Sequence, residues 1–224
     1  MPRIARAVAP GFPHHVVQRG NNRKDVFFSP EDNKVYLYLL KMYADKWNTL
    51  VISYCLMTDH VHLLVKPSSD MSLRKMMQGV ALCYTQHVNR KYKRTGRLWE
   101  SRYHSCIVDQ ESYLWAVARY IEQNPVRSML VERPEEYAYS SARAHLDLFH
   151  DPILGEDLFA EGLQHGYVEF MRSAVPVEQI TAIRKSSRTG RPLGTTTFVG
   201  EIERRLAKRL TALPVGRPRK IGNA

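Results

Sequence analysis

Thr49-Leu50-Val51-Ile52-Ser53-Tyr54-Cys55-Leu56-Met57-Thr58-Asp59-His60-Val61-His62-Leu63-Leu64-Val65-Lys66 decides the fold. Two apolar runs, rich in β-branched residues, flank the short polar connection Thr58-Asp59. The segment reads as a β-hairpin with strands over 49–57 and 60–66. Successive side chains of a strand leave opposite faces. His60 and His62 therefore share one face, about 7 Å apart at roughly 3.3–3.4 Å per residue. Val61 and Leu63 turn the other way, into a core. Two neutral imidazoles so placed can hold one divalent metal ion, and the same spacing also describes surface histidines beside a polar cleft.

The flanking sequence completes a pattern. His14-His15-Val16-Val17-Gln18-Arg19-Gly20 alternates and reads as a strand, closed by a turn at Gly20-Asn21-Asn22. Ser29 and Pro30 open a helix, with Glu31 and Asp32 at its positive end; Val35, Leu39, Met42 and Tyr43 then recur to about Trp47. Ser69 or Asp70 is expected to cap a long helix carrying Leu73, Met76, Met77, Val80, Leu82, Tyr84 and Val88, ending near Lys91. Leu98 to Val108 reads as a bulged or bent strand. Asp109 caps a further helix through Tyr113, Leu114, Val117, Tyr120 and Ile121, with Pro125 as its stop. The order β-α-β-β-α-β-α begins with six elements that match a ferredoxin-like split βαβ. The expected fold class is α+β, an antiparallel sheet with helices on one face and an open face opposite, followed by a small helical, basic C-terminal extension.

Tyr120 and Asn124 lie four residues apart and share a helix face. A tyrosine can serve as a covalent nucleophile. The Asn124 amide oxygen is a candidate third ligand, since hard cations favour oxygen donors. Core packing beside Val117 and Ile121 fits the same spacing.

Charge is unevenly spread. The chain of 224 residues carries a net charge of +11, and from Ile183 onward it holds 11 Lys/Arg against 2 Asp/Glu. A basic tail on a nearly neutral body suggests contact with phosphates. Arg90, Lys91, Lys93, Arg94 and Arg97, with Tyr92 among them, suit a single-stranded or hairpin nucleic-acid backbone, and equally a solvated loop. Gly216-Arg217-Pro218-Arg219-Lys220 resembles an AT-hook core, which would lay Arg217, Arg219 and Lys220 along a narrow A/T-rich duplex groove. Glu156 to Ser173 reads as one or two short helices, and Arg184 to Thr197 as a linker. Phe198, Ile202, Leu206 and Leu210 mark a short basic amphipathic helix. The expected division is 1–150, 151–182 and 183–224.

Cys55, Cys83 and Cys106 form no CxxC pair, which argues for reduced thiols and against a disulfide framework or zinc knuckle. No apolar run approaches the roughly 20 residues that cross a bilayer. The expectation is a cytoplasmic, nucleoid-associated protein with no membrane partner.

Several separated blocks together carry a resemblance. They are PGFPHHVVQRGNNRKDVFF (10–28), SYCLMTDHVHLLVKP (53–67), GRLWESRYHSCIVD (96–109), YLWAVARYIEQNPVRSMLV (113–131) and YAYSSARAH (137–145). In order, they resemble the single-tyrosine HUH transposases, IS200-like, and within them the REP-associated tyrosine transposases. The likeness implies that His60 and His62 hold Mg²⁺ or Mn²⁺ and that Tyr120 is the nucleophile. Asn124 matches the position that completes the metal site, where related insertion-sequence enzymes often carry Gln. The implied activity is metal-dependent cutting and joining of single-stranded, REP-like hairpin DNA through a 5′-phosphotyrosine, by a monomer or dimer. The alternative is a domesticated protein that binds DNA hairpins without cutting them.

Overall fold

The computed structural model describes residues 6–146, 148–155 and 164–212. The strands are β1 (His14–Arg19), β2 (Thr49–Leu56), β3 (His60–Pro67) and β4 (His104–Ile107). They form one antiparallel sheet in the order β2-β3-β1-β4. Helices α1 (Pro30–Lys46) and α2 (Ser72–Lys91) supply the two crossovers of the expected split βαβ, and α3 (Gln110–Glu122) follows β4. The chain continues through α4 (Asn124–Arg127), α5 (Ala142–His145), α6 (Gln164–Arg172), α7 (Val177–Thr189) and α8 (Thr196–Arg205). No described helix is long and apolar enough to cross a membrane.

Strand alternation sorts the side chains into two layers. Val16, Val61, Leu63 and Val65 face α1 and α2, where they meet Tyr36, Leu40, Met76, Val80 and Tyr84. Burying side chains of this size contributes about 1.5–3 kcal/mol each. A bulge between Val51 and Ser53 changes the parity of β2. Val51, Tyr54 and Leu56 consequently join the α1/α2 layer, while Ile52 and Cys55 turn to the opposite face.

That opposite face is not open, contrary to expectation. Ile52, Cys55 and Leu64 are apolar and require cover. Val117, Ala118 and Ile121 of α3 supply it, joined by Tyr167 and Met171 of α6 and Ile183 of α7. The stretch expected as a linker, Arg184 to Thr197, lies largely in α7 and at the start of α8. Helix α7 also crosses the 182/183 boundary drawn from composition. The amphipathic helix expected further on is α8, whose Phe198 and Ile202 pack with Leu210, Ile107, Ala7 and Ala9.

Other boundaries shift for local reasons. The last strand is only His104–Ile107, because Leu98 and Trp99 leave the sheet plane for the α1/α2 core. Neither Ser69 nor Asp70 caps α2; the N-cap is Met71, and the Ser72 hydroxyl bonds back to Ser69 Oγ at 2.8 Å. Pro125 does not end α3. That helix stops at Glu122, Gln123 adopts φ −87° and ψ 3°, and Pro125 sits in the first turn of α4, where no N–H is needed. Asp109 caps α3 as expected, accepting from Glu111 N at 3.2 Å.

Two buried carboxylates pin the layers. Asp32 accepts from Lys91 Nζ at 2.8 Å, Tyr92 Oη at 2.7 Å and Phe28 N at 3.1 Å, tying the start of α1 to the end of α2. Burial pushes its carboxyl up, but these donors outweigh that and bring it down to about 2. Glu122 is fully buried and accepts from Ser53 Oγ (3.2 Å), Ser141 Oγ (2.6 Å), His145 Nδ1 (2.5 Å) and Tyr167 Oη (2.9 Å).

Glu122→Ala is expected to cost about 3–5 kcal/mol, because it strands several buried donors at once; urea denaturation reads the loss, and an unchanged midpoint would refute the pinning role. Asp32 titrates lower in the folded than in the unfolded chain. Its stabilisation is therefore complete above its ordinary value of 3.8 and disappears as pH falls towards about 2. Thermal melts across that window should fall more steeply for the natural chain than for Asp32→Asn.

Candidate active site

Register brings the sequence motifs together. Val17 pairs with His62 and Arg19 with His60 across β1 and β3, so these residues and His15 share the face covered by α3. Gly20 closes the end of β1: its N–H donates to Asp59 O at 2.7 Å. A Cβ there would lie 2.1 Å from Lys24 O, so only glycine fits beside the turn that carries Asp59 and His60.

Tyr120 comes down from α3 onto the histidines. Its ring centroid lies 5.8 Å from that of His62 and 5.9 Å from that of His15, both edge-on. The His60 and His62 rings are 5.0 Å apart and nearly perpendicular. A cavity of about 530 Å³ is lined by His60, His62, Tyr120 and Asn124, with Arg19, Arg184 and Arg188 around them and Glu100 as its acid. The four residues proposed from the two separated motifs thus meet in one cleft.

Hydrogen bonds aim the rings. His60 Nδ1 lies 2.5 Å from Asp59 Oδ1. His62 Nδ1 lies 2.9 Å from His15 Nε2, and His15 Nδ1 lies 2.8 Å from Ser187 Oγ on α7. Burial holds His60 below the usual histidine range despite Asp59. Burial, then the neighbouring His15 and His60, hold His62 far below it. Burial takes His15 down to about 3. The cluster is neutral at physiological pH, the state in which imidazole ligates metals.

Asn124 is already engaged. Its Oδ1 accepts from Arg127 Nη2 at 2.7 Å and its Nδ2 donates to Ile121 O at 3.1 Å. Arg127 Nη2 also donates to Tyr120 O. The Arg127 guanidinium lies 4.3 Å over the Tyr120 ring. Among the described residues no group of three or more His, Cys, Asp or Glu side chains could enclose a metal ion.

The other expected contacts lie elsewhere. Arg90 and Lys91 belong to the last turn of α2, where Lys91 pairs with Asp32. Lys93, Arg94 and Arg97 follow in the loop; Arg94 sits over the Phe28 ring at 5.2 Å, and Arg97 lines a separate groove beside α2. None of the five lines the cleft. Arg217, Arg219 and Lys220 lie outside the described residues.

Sequence reading missed His15, Arg19, Arg127, Arg184, Ser187 and Arg188. For His15 and Arg19 the signal was the alternation of β1, which places them with Val17, but the facing strand is not readable from it. For α7 the signal was the spacing of Ile180, Ile183 and Ser187, hidden by a Ser/Arg/Gly-rich composition.

Residues 11–124 match the profile of the family described as transposase IS200 like, a span that includes His60, His62, Tyr120 and Asn124. The chain belongs to the IS200-like transposase family. Among solved structures, it resembles a REP-associated tyrosine transposase bound to a REP hairpin, with a TM-score of 0.57 at 13% identity, covering 72% of this chain and 96% of that one. This likeness shows a shared fold. A Deinococcus radiodurans R1 protein described as a candidate transposase aligns at 19% identity over 55% of this chain and 97% of its own, with a TM-score of 0.37. No curated protein matches the chain.

Proposed function

We propose that this transposase nicks and rejoins single-stranded hairpin DNA through a covalent bond to Tyr120. The observation that carries the reading is the delivery of Tyr120 from α3 to within ring contact of His62 on β3. Family membership supports the reaction class. The hairpin target takes support from the solved structure of shared fold, whose own ligand is a REP hairpin.

The residues fit a divalent ion of the Mg²⁺ or Mn²⁺ kind. His60 and His62 each commit Nδ1 to a protein partner, which leaves Nε2 as the nitrogen available to an ion in the cleft that both rings line. The Asp59–His60 contact is the carboxylate–imidazole arrangement that orients metal-binding histidines. With only two imidazoles, the remaining positions would go to water, phosphate oxygens and the second lone pair of Asn124 Oδ1. Such an ion, when bound, polarises a non-bridging oxygen of the scissile phosphate.

The chain's own residues do the rest. Tyr120 Oη forms a bond to phosphorus as the bond from phosphorus to O3′ breaks. The phenolic proton leaves to solvent and the 3′ oxygen takes one up, so charge and protons balance. Arg19, Arg184 and Arg188 line the cleft where the phosphate charge would lie. Arg127 fixes Tyr120 and Asn124 relative to one another. The phosphotyrosine conserves the bond, so attack by a 3′ hydroxyl reverses the step without ATP.

The test mixes the full chain with Mn²⁺ or Mg²⁺ and labelled hairpin oligonucleotides, followed by a denaturing gel. A protein–DNA adduct is expected for the natural chain and none for Tyr120→Phe or His60→Ala. Hairpin binding without an adduct, across a broad library, would favour the non-cutting alternative. Replacing both Arg184 and Arg188 by alanine should make the dependence of single-strand affinity on salt shallower, by about 1.4 in the log–log slope for two lost phosphate contacts. An unchanged slope would remove both residues from the DNA path.

A further inference from the structure

We infer that Ser187 and His15 are positioning residues that hold His62 in the tautomer protonated at Nδ1, leaving the Nε2 lone pair towards the cleft. The inference rests on the metal-site reading above for its purpose, but it concerns the chain without metal. Ser187 lies in α7, beyond the span that matches the family.

The hydrogen bonds run in one direction. Ser187 Oγ carries a single hydrogen and lies 2.8 Å from Ile183 O, an atom that can only accept. Two oxygens at that separation repel unless a hydrogen lies between them, so we place the hydroxyl hydrogen towards Ile183. The same Oγ lies 2.8 Å from His15 Nδ1, so His15 must donate there. His15 is fully buried, and its ring nitrogens meet a hydroxyl and an imidazole. An imidazolium in that position would have no counter-charge in contact, so the ring is neutral and has one N–H. With that hydrogen on Nδ1, Nε2 of His15 is an acceptor. His62 Nδ1, 2.9 Å away, must donate to it. The two rings lie 16° from parallel, which suits an in-plane bond between them.

Reversing the relay disables His62 as a ligand. Without the Ser187 hydroxyl, His15 Nδ1–H becomes a buried donor with no acceptor, at a cost of about 1–3 kcal/mol. The opposite tautomer of His15 relieves that cost by placing its hydrogen on Nε2. His62 Nδ1 must then accept, and its own hydrogen moves to Nε2, where a metal would bind. A hydroxyl two hydrogen bonds away from His62, on the wall of the same cleft, thus decides which His62 nitrogen is bare. His60 has no such dependence, since Asp59 sets its orientation directly.

The experiment uses full-length, metal-free protein labelled with ¹⁵N in histidine, read by long-range ¹H–¹⁵N correlation. In the natural chain His62 should show a protonated Nδ1 and a bare Nε2. Ser187→Ala should show protonation at His62 Nε2, and Ser187→Thr, which keeps the hydroxyl, should restore the natural pattern. Titration with Mn²⁺ should show affinity reduced about 10–100-fold in Ser187→Ala, as for other outer-shell partners of metal-bound histidine, with an unchanged far-ultraviolet circular dichroism spectrum. A natural chain already protonated at His62 Nε2, or a Ser187→Ala variant with the natural pattern, would overturn the relay. Absence of Mn²⁺ binding by the natural chain would instead overturn the metal-site reading, with the tautomer spectra still deciding the relay.

Discussion

The position of Tyr120 depends on the carboxylate of Glu122, two residues along the same helix. That carboxylate is fully buried, and it gathers donors from β2, α5, α6 and the residue before α5. Burial alone would keep it protonated. The charge of His145 and the hydrogen bonds from His145, Ser141 and Tyr167 reverse that and hold it below the usual carboxylate range. An apolar contact between α3 and the sheet would permit sliding by a fraction of a turn. A carboxylate with four fixed partners permits one rotation and one height. The ring contacts among Tyr120, His62 and His15 follow from that setting.

Around this anchor the cleft is assembled from two kinds of contact. The histidines come from adjacent strands and are aligned by sheet register, which is short-range and strict. The cations come from β1 (Arg19) and α7 (Arg184 and Arg188), and so depend on how the second layer packs. Arg127 links the tyrosine to Asn124 through a break between α3 and α4 that keeps both residues near the same side of the cleft. This break also explains why a four-residue spacing remains productive although the two residues occupy different helices.

What was legible in the sequence divides along the same line. The hairpin, the shared face of His60 and His62, the cap at Asp109 and the element order rest on local alternation, turn chemistry and helix periodicity, and the structure bears them out. The closed second face was not legible. Part of its need for cover comes from a β2 bulge that turns Cys55 away from the first core, and a one-residue change of parity leaves no mark in composition. The role of α7 was obscured because Ser, Arg and Gly imitate a linker. The basic segment at 90–97 lies away from the cleft, and its Lys91 is partnered with a buried Asp32 that no sequence window connects to it.

The bond between Ser187 and His15 spans 172 positions of chain. A ribosome emits β1, the hairpin, β4 and α3 well before α7, and local contacts among them form without waiting for it. A nascent chain can therefore hold Tyr120 over the histidines before the residue that selects the His62 tautomer has left the exit tunnel. The order of synthesis makes the emergence of α7 the last step in assembling the cleft. A prematurely terminated product would carry the nucleophile without the finished set of hydrogen bonds behind it.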